Sequence, residues 1–203
     1  MVRNSNGRSS PDRRARRAVA TREAILRAAA GVFRNRGFAE TGMREIAAAA
    51  DLSPGNLYYY FKSKADILYF CQDHSVNRML ATMKHLGRTQ PSAELLRQVI
   101  AAHLLCTLDE LDGAAAHTEV ESLPADLRRK IVAKRDRYER AVRRIVAEGM
   151  TRGAFVDGDP VLTTRAILGA LNWTTRWYRP GGKLPPQAVA DAFANYLVRG
   201  LAA

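Results

Sequence analysis

The run from Ser53 to Lys64 reads Ser-Pro-Gly-Asn, then Leu, then three consecutive tyrosines, Phe, and two lysines separated by a serine. Phenol hydroxyls donate well to phosphate oxygens, and an asparagine carboxamide can read an adenine edge. Three adjacent residues sweep about 200° of a helix, so Tyr58, Tyr59 and Tyr60 cannot all face a core. Leu57 and Phe61, four apart, supply one buried stripe, and Tyr58 is the tyrosine expected to pack beside it. The other phenols, with Asn56, Lys62 and Lys64, make a polar contact surface suited to a polyanion. Gly55, near the start of this segment, permits close backbone approach to a groove.

The remaining chemistry is sparser. His103 and Cys106 lie three apart and share a helix face, which suits the lining of a core or pocket better than a metal site. Glu119 and Glu121 could do acid–base work, but such a pair more often meets arginines of a neighbouring helix. The four histidines are scattered, and no GxGxxG, P-loop or GxSxG pattern is present. The expectation is therefore a protein without catalytic residues, metal or cofactor. Near the C-terminus, Trp173 and Trp177 share one face, and Arg176 and Arg179 another. Aromatic plates beside guanidinium groups suit a pocket for a large ligand with anionic groups, or equally the centre of a dimer surface.

The elements that must position these residues are all helical. Apolar periodicity gives helices over about 18–36, 43–50, 54–61, 64–86, 93–111, 115–122, 125–152, 160–178 and 186–201. Gly37 ends the first in the left-handed region, Ser53 and Ser63 are N-caps, and Pro54 takes a first helical position. Two short helices joined at Asp51-Leu52-Ser53 form a helix-turn-helix pattern. The expected organisation is a basic arm at 1–17, a helix-turn-helix domain at 18–63 and a helical domain at 64–203.

Composition narrows the function. The chain has 203 residues and a formal charge of +12. Arg3, Arg8, Arg13, Arg14, Arg16, Arg17 and Arg22 stand against Asp12 alone in the first 22 residues. Such an arm suits DNA or another polyanion, or serves only to keep the protein soluble. The longest stretch without a charge, Gln98 to Leu108, has eleven residues, far short of a membrane span. No secretory h-region follows the basic N-terminus, and two distant cysteines, Cys71 and Cys106, fit a reducing cytoplasm.

The run from Ile46 to Lys64, with Ala29, Phe33, Gly37-Phe38 and Thr41 before it, resembles the DNA-binding domain of TetR-family transcriptional regulators. The resemblance implies an all-α fold with three N-terminal DNA-binding helices and a six-helix ligand-binding and dimerisation bundle. It implies a homodimer that binds a palindromic double-stranded operator and is released by a small-molecule effector. Carried over by position, Thr41 and Met43 lie against backbone phosphate, and Ser53, Pro54, Gly55 and Asn56 face the major groove. Tyr59 and Tyr60 touch phosphate or a base edge, and Lys64 meets phosphate. Gly42, Asp51 and Tyr60 depart from the commoner Thr or Ser, Gly and His of the pattern. Asp tolerates the left-handed turn. The run Arg176-Trp177-Tyr178-Arg179-Pro180-Gly181-Gly182 resembles the branch of the family that answers to acyl-CoA thioesters in steroid and fatty-acid catabolism. That points to His103, Cys106, Glu119, Trp173, Arg176, Trp177 and Arg179 as ligand contacts. A drug-responsive efflux repressor and a sequence-independent nucleic-acid binder are the alternatives.

Overall fold

Short-range chemistry sets most helix boundaries in this chain. In the computed structural model, which describes residues 10–86, 90–108 and 120–203, helix α1 runs Ser10–Arg36. Gly37 stops it at φ +80°, with its N–H on Phe33 O at 2.8 Å. Helix α2 runs Met43–Ala49, and the Glu45 carboxylate reaches back to accept from the Gly42 N–H at 2.9 Å. Helix α3 runs Pro54–Tyr60. It is capped by Ser53, whose hydroxyl oxygen accepts from the Asn56 N–H at 3.2 Å. Between α2 and α3, Asp51 takes φ +54°, so aspartate does bear the left-handed turn. Helix α4 runs Lys64–His85 under an equivalent Ser63 cap.

Four further helices follow: α5 Ser92–Leu108, α6 Ala125–Thr151, α7 Pro160–Trp177 and α8 Pro186–Arg199. Asp159 caps α7, accepting from the N–H groups of Val161 and Leu162. The helix expected at 115–122 is described only at its end, where Val120–Ser122 forms a single 3-10 turn. The described residues therefore hold eight α-helices and no strand, an all-α fold. None of these helices is long and apolar enough to cross a membrane.

Two boundaries differ from the sequence expectation. Helix α1 begins eight residues earlier than position 18, so residues 10–17 are helical and not an irregular arm. Arginine and alanine are good helix formers, and extending a helix that is already packed fixes one residue per hydrogen bond gained. Residues 1–9 lie outside the described residues. The second difference concerns residue 64. One hydrophobic cluster joins Ile25, Leu26 and Phe33 of α1 with Ile46, Leu57 and Phe61, but also takes in Ile67, Leu68 and Cys71 of α4 and Ile131 of α6. The other cluster begins on the same α4 at Val76 and Met79 and continues through α5 to α8. Helix α4 is thus built into both cores, and the chain has no clean division at its start.

Candidate nucleic-acid interface and inner cavity

Helix α3 is held by Leu57 and Phe61, both buried, which leaves the rest of its surface outward. Ser53, Pro54, Gly55 and Asn56 are all exposed at its N-terminal end. Tyr59 is 85% exposed and Tyr58 53%, whereas Tyr60 is half-buried against the N-terminal core. The packed tyrosine is therefore Tyr60, not Tyr58. At about 100° per residue, both lie about 80° from the middle of the Leu57–Phe61 stripe, on opposite sides, and only the neighbouring helices choose between them. Tyr60 also meets Tyr59 edge-on at 5.2 Å. The outward set on α3 is Asn56, Tyr58 and Tyr59, with Lys62 exposed just beyond it.

Two expected phosphate contacts face inward. The Lys64 ammonium donates to the carbonyls of Phe38, Ala39 and Thr41 at 2.9, 2.8 and 3.0 Å and stands 4.7 Å from the centre of the Phe38 ring. An ammonium has three donors, so all are occupied. Thr41 is 2% exposed and its hydroxyl donates to Gly37 O at 2.7 Å. Together they clamp the α1–α2 loop to the start of α4. Met43 is half-buried against the same core. The cation that stands exposed at this edge is Arg44, on the outer face of α2 beside Ala48. At 100° per residue it lies about 110° from the middle of the buried Ile46–Ala47 pair, a placement readable from helical period alone.

The second site is a partly open cavity of about 260 Å³ between four helices. Val76 and Met79 of α4, His103 of α5, Tyr138 of α6 and Leu168 of α7 form its inner wall. Arg135, Asp136 and Glu139 of α6 and Asn172 and Thr175 of α7 bring polar groups to it. His103 is 4% exposed. Its Nδ1 lies 3.2 Å from the Tyr138 hydroxyl, while Nε2 is buried with no hydrogen-bond partner in the protein. Burial lowers the imidazole pKa from 6.5 to about 4, and hydrogen bonding with the Asn172 side chain acts in the opposite direction. Burial, with a smaller contribution from Cys106, raises the Tyr138 pKa well above the ordinary phenol range. The pair is therefore a neutral imidazole beside a neutral phenol. Desolvation also lowers the Arg135 pKa, and its guanidinium reaches Gln72 Oε1 at 3.5 Å.

Of the ligand contacts expected from sequence, only His103 lines this cavity. Cys106 is buried against α4, with Sγ 3.5 Å from Ser75 Oγ. Glu119 lies outside the described residues. Trp173, Arg176 and Trp177 at the C-terminal end of α7, and Arg179 just beyond it, are exposed and do not line the cavity. Trp177 stacks on Phe193 of α8 at 6.2 Å, and the Arg179 guanidinium donates to the carbonyls of Arg176 and Tyr178 at 3.3 Å each. The cavity-facing side of α7 is the row Leu168, Asn172, Thr175, at spacings of four and three. On α6 the signal was Tyr138, a lone aromatic within the charged run from Lys134 to Arg140. Among the described residues, no group of three or more His, Cys, Asp or Glu is placed to hold a metal ion.

Residues 25–69 match the family described as bacterial regulatory proteins, tetR family, and residues 89–201 match the tetracyclin repressor-like C-terminal domain. The chain belongs to the TetR family. This TetR-family protein is a helix-turn-helix transcriptional regulator. It is 32% identical to the TetR-family regulator PfmR of Thermus thermophilus, whose crystal structure superposes with a TM-score of 0.79 over 88% of this chain and 99% of that one. It is 27% identical over 181 residues to the fatty acid metabolism regulator protein of Bacillus subtilis, covering 87% of this chain and 93% of the relative. It is 25% identical over 194 residues to the transcriptional repressor KstR2 of Mycobacterium tuberculosis, covering 94% and 97%.

Proposed function

We propose that this TetR-family regulator is a homodimeric repressor, released from a palindromic operator when an acyl-CoA thioester places its acyl group in the inner cavity. The observation that carries the reading is the double membership of α4. Ile67, Leu68 and Cys71 of α4 sit in the core that holds the recognition helix, and Val76 and Met79 of the same helix form a cavity wall. A ligand that favours one position of Val76 and Met79 favours one position of the helix-turn-helix unit. It shifts the equilibrium only by its difference in affinity for the two positions. In a dimer this alters the separation of two recognition helices that must enter successive major grooves.

The dimer reading is supported by apolar residues left outward on the last two helices. Leu162, Trp173 and Trp177 of α7 and Tyr196 of α8 are exposed, with Trp173 at 65% and Tyr196 at 78%. Large apolar groups standing in water along adjacent helices mark an interaction surface. The Trp173–Arg179 segment is accordingly assigned to that surface and not to the cavity. The acyl-CoA class is supported by the relative named for fatty acid metabolism and by the resemblance of the Arg176–Gly182 run to acyl-CoA-responsive regulators. The CoA portion would leave the cavity past Asn172 and Thr175. The protein binds this ligand without converting it, and it acts in the cytoplasm, where its DNA is.

The test is fluorescence anisotropy on an operator selected from genomic fragments, with a salt series and added acyl-CoA thioesters. The expected result is salt-sensitive, sequence-selective binding, reversed by thioester, with the thioester recovered intact by mass spectrometry. Operator binding that no acyl-CoA weakens would overturn the effector class. Binding without sequence preference would overturn the repressor reading.

A further inference from the structure

Helix α1 outruns its own core. It starts at Ser10, yet among the described side chains the first buried one is Ile25. Val19, the one large apolar residue before it, is 58% exposed. Arg13, Arg16 and Arg17 are exposed on this outrunning half. At 100° per residue the three fall within about 100° of one another. The middle of that sector lies about 160° from the middle of the buried set Ile25, Leu26, Ala29, Ala30 and Phe33. The arginines therefore form a row on the side of α1 that faces away from its core. Ala20 and Ala24, both exposed, continue the row with side chains small enough for close approach. The Glu23 carboxylate stands at its far end, 4.0 Å from Arg27.

This row works against its own helix. Arg13 precedes Arg16 and Arg17 by three and four residues, spacings at which like charges meet and destabilise a helix. All three lie near the positive end of the helix dipole, where cations are unfavourable. Among the described side chains, no buried apolar contact before Ile25 offsets this. A polyanion laid along the row removes the repulsion and opposes the dipole, and guanidinium groups suit phosphate oxygens. The other half of α1 decides which polyanion is in reach. Ile25, Leu26 and Phe33 share one core with Leu57 of α3, and the Arg36 guanidinium pairs with Glu45 of α2. Helix α1 and the recognition helix are thus one unit. The whole of α1 spans about 40 Å, against about 34 Å for one turn of DNA. With α3 in its groove, the polyanion within that radius is the flank of the operator itself.

We infer that Arg13, Arg16 and Arg17 on the outer side of α1 form a second DNA-binding surface, which grips backbone phosphates of the operator flank outside the base pairs read by α3. Phosphate contacts carry no sequence information, so this surface adds affinity and salt dependence without adding preference. The inference rests on operator binding by the helix-turn-helix unit and is independent of the effector.

The test compares the full-length protein with a triple variant, Arg13→Ala, Arg16→Ala and Arg17→Ala together. Alanine is the better helix former, so the variant should keep the melting temperature. Anisotropy is read on two duplexes. One is the operator core, the base pairs that the variant protects from hydroxyl radicals. The other adds one helical turn of arbitrary sequence at each end. At about 0.1 M salt the natural sequence should bind the longer duplex at least tenfold more tightly, and the variant should bind both alike. On the longer duplex the slope of log K against log salt should be shallower in the variant by about 3 per bound protomer, at about 0.9 per phosphate contact. Preference for the operator over a scrambled core should stay within about twofold. The hydroxyl-radical footprint of the natural sequence should run into both flanks, a result that needs no substitution to fold. Equal slopes, or an equal gain from the flanks, would overturn the inference. So would the same loss on both duplexes, which would place the arginines inside the recognition footprint. If the variant matches the natural sequence on DNA but no longer binds phosphatidylglycerol vesicles, the row serves a membrane surface and the inference is wrong. Lack of operator preference in both proteins would remove the operator reading and this inference with it, and is told apart from the other failures by its appearance in both.

Discussion

The buried imidazole of His103 should make this protein lose stability in mild acid, by an amount that can be worked out in advance. The folded state holds the ring neutral down to about pH 4, whereas in the unfolded chain it takes a proton near pH 6.5. As pH falls below 6.5 the unfolded state therefore binds a proton that the folded state refuses, and stability falls. The contribution is fully present above pH 6.5 and lost by about pH 4. At 1.36 kcal/mol per pH unit the complete loss is roughly 3 kcal/mol, and about 2 kcal/mol of it falls between pH 7 and pH 5. Carboxylates and the other histidines titrate too, so the informative quantity is the difference between the natural sequence and His103→Gln. Urea unfolding at one fixed protein concentration, at pH 7, 6 and 5, measures it. The natural sequence should lose about 2 kcal/mol more than the variant over that range, even if the variant is less stable at pH 7. Parallel stability curves would refute the reasoning, because they would mean that His103 is protonated or solvated in the folded protein.

Three further outcomes follow from the geometry. Lys64→Met removes three hydrogen bonds from carbonyls of the α1–α2 loop and should lower stability by about 2 kcal/mol, read by urea unfolding. It should leave the salt slope of DNA binding unchanged, whereas Lys62→Ala, at an exposed cation, should reduce that slope by about 1 without a stability change. Asn56→Ala and Tyr59→Phe alter exposed groups of α3, so each should keep the melting temperature, and Asn56→Ala should cost about 1–3 kcal/mol of operator affinity by anisotropy. Gly149→Ala places a methyl into the buried Phe155 ring and should destabilise by about 1–3 kcal/mol in chemical unfolding.

What could be read in the sequence and what could not divide along one physical line. Features decided within four residues were legible. Ser53 and Ser63 cap their helices, Gly37 and Asp51 take the left-handed region, and Leu57 with Phe61 forms the buried stripe of α3. Each follows from the bonding and sterics of neighbouring residues, with little help from the rest of the chain. Features decided by a distant partner were not. The resemblance implies a phosphate contact at Lys64, yet its three acceptors lie 23 to 26 residues earlier, on a loop whose approach no local pattern records. Tyr58 and Tyr60 are equivalent about the α3 axis until a neighbouring helix breaks the symmetry. The cavity is the extreme case, since its wall takes residues from four helices and is a property of none of them. The dense Trp–Arg segment drew attention by composition. The residues that reach the cavity from the same helix, Asn172 and Thr175, carry ordinary chemistry and stand out only once α6 is laid against α7. His103 could be picked from sequence because a histidine on an apolar helix already conflicts with its surroundings. That conflict persists in the fold as an imidazole that burial holds neutral, which makes it the residue most worth testing.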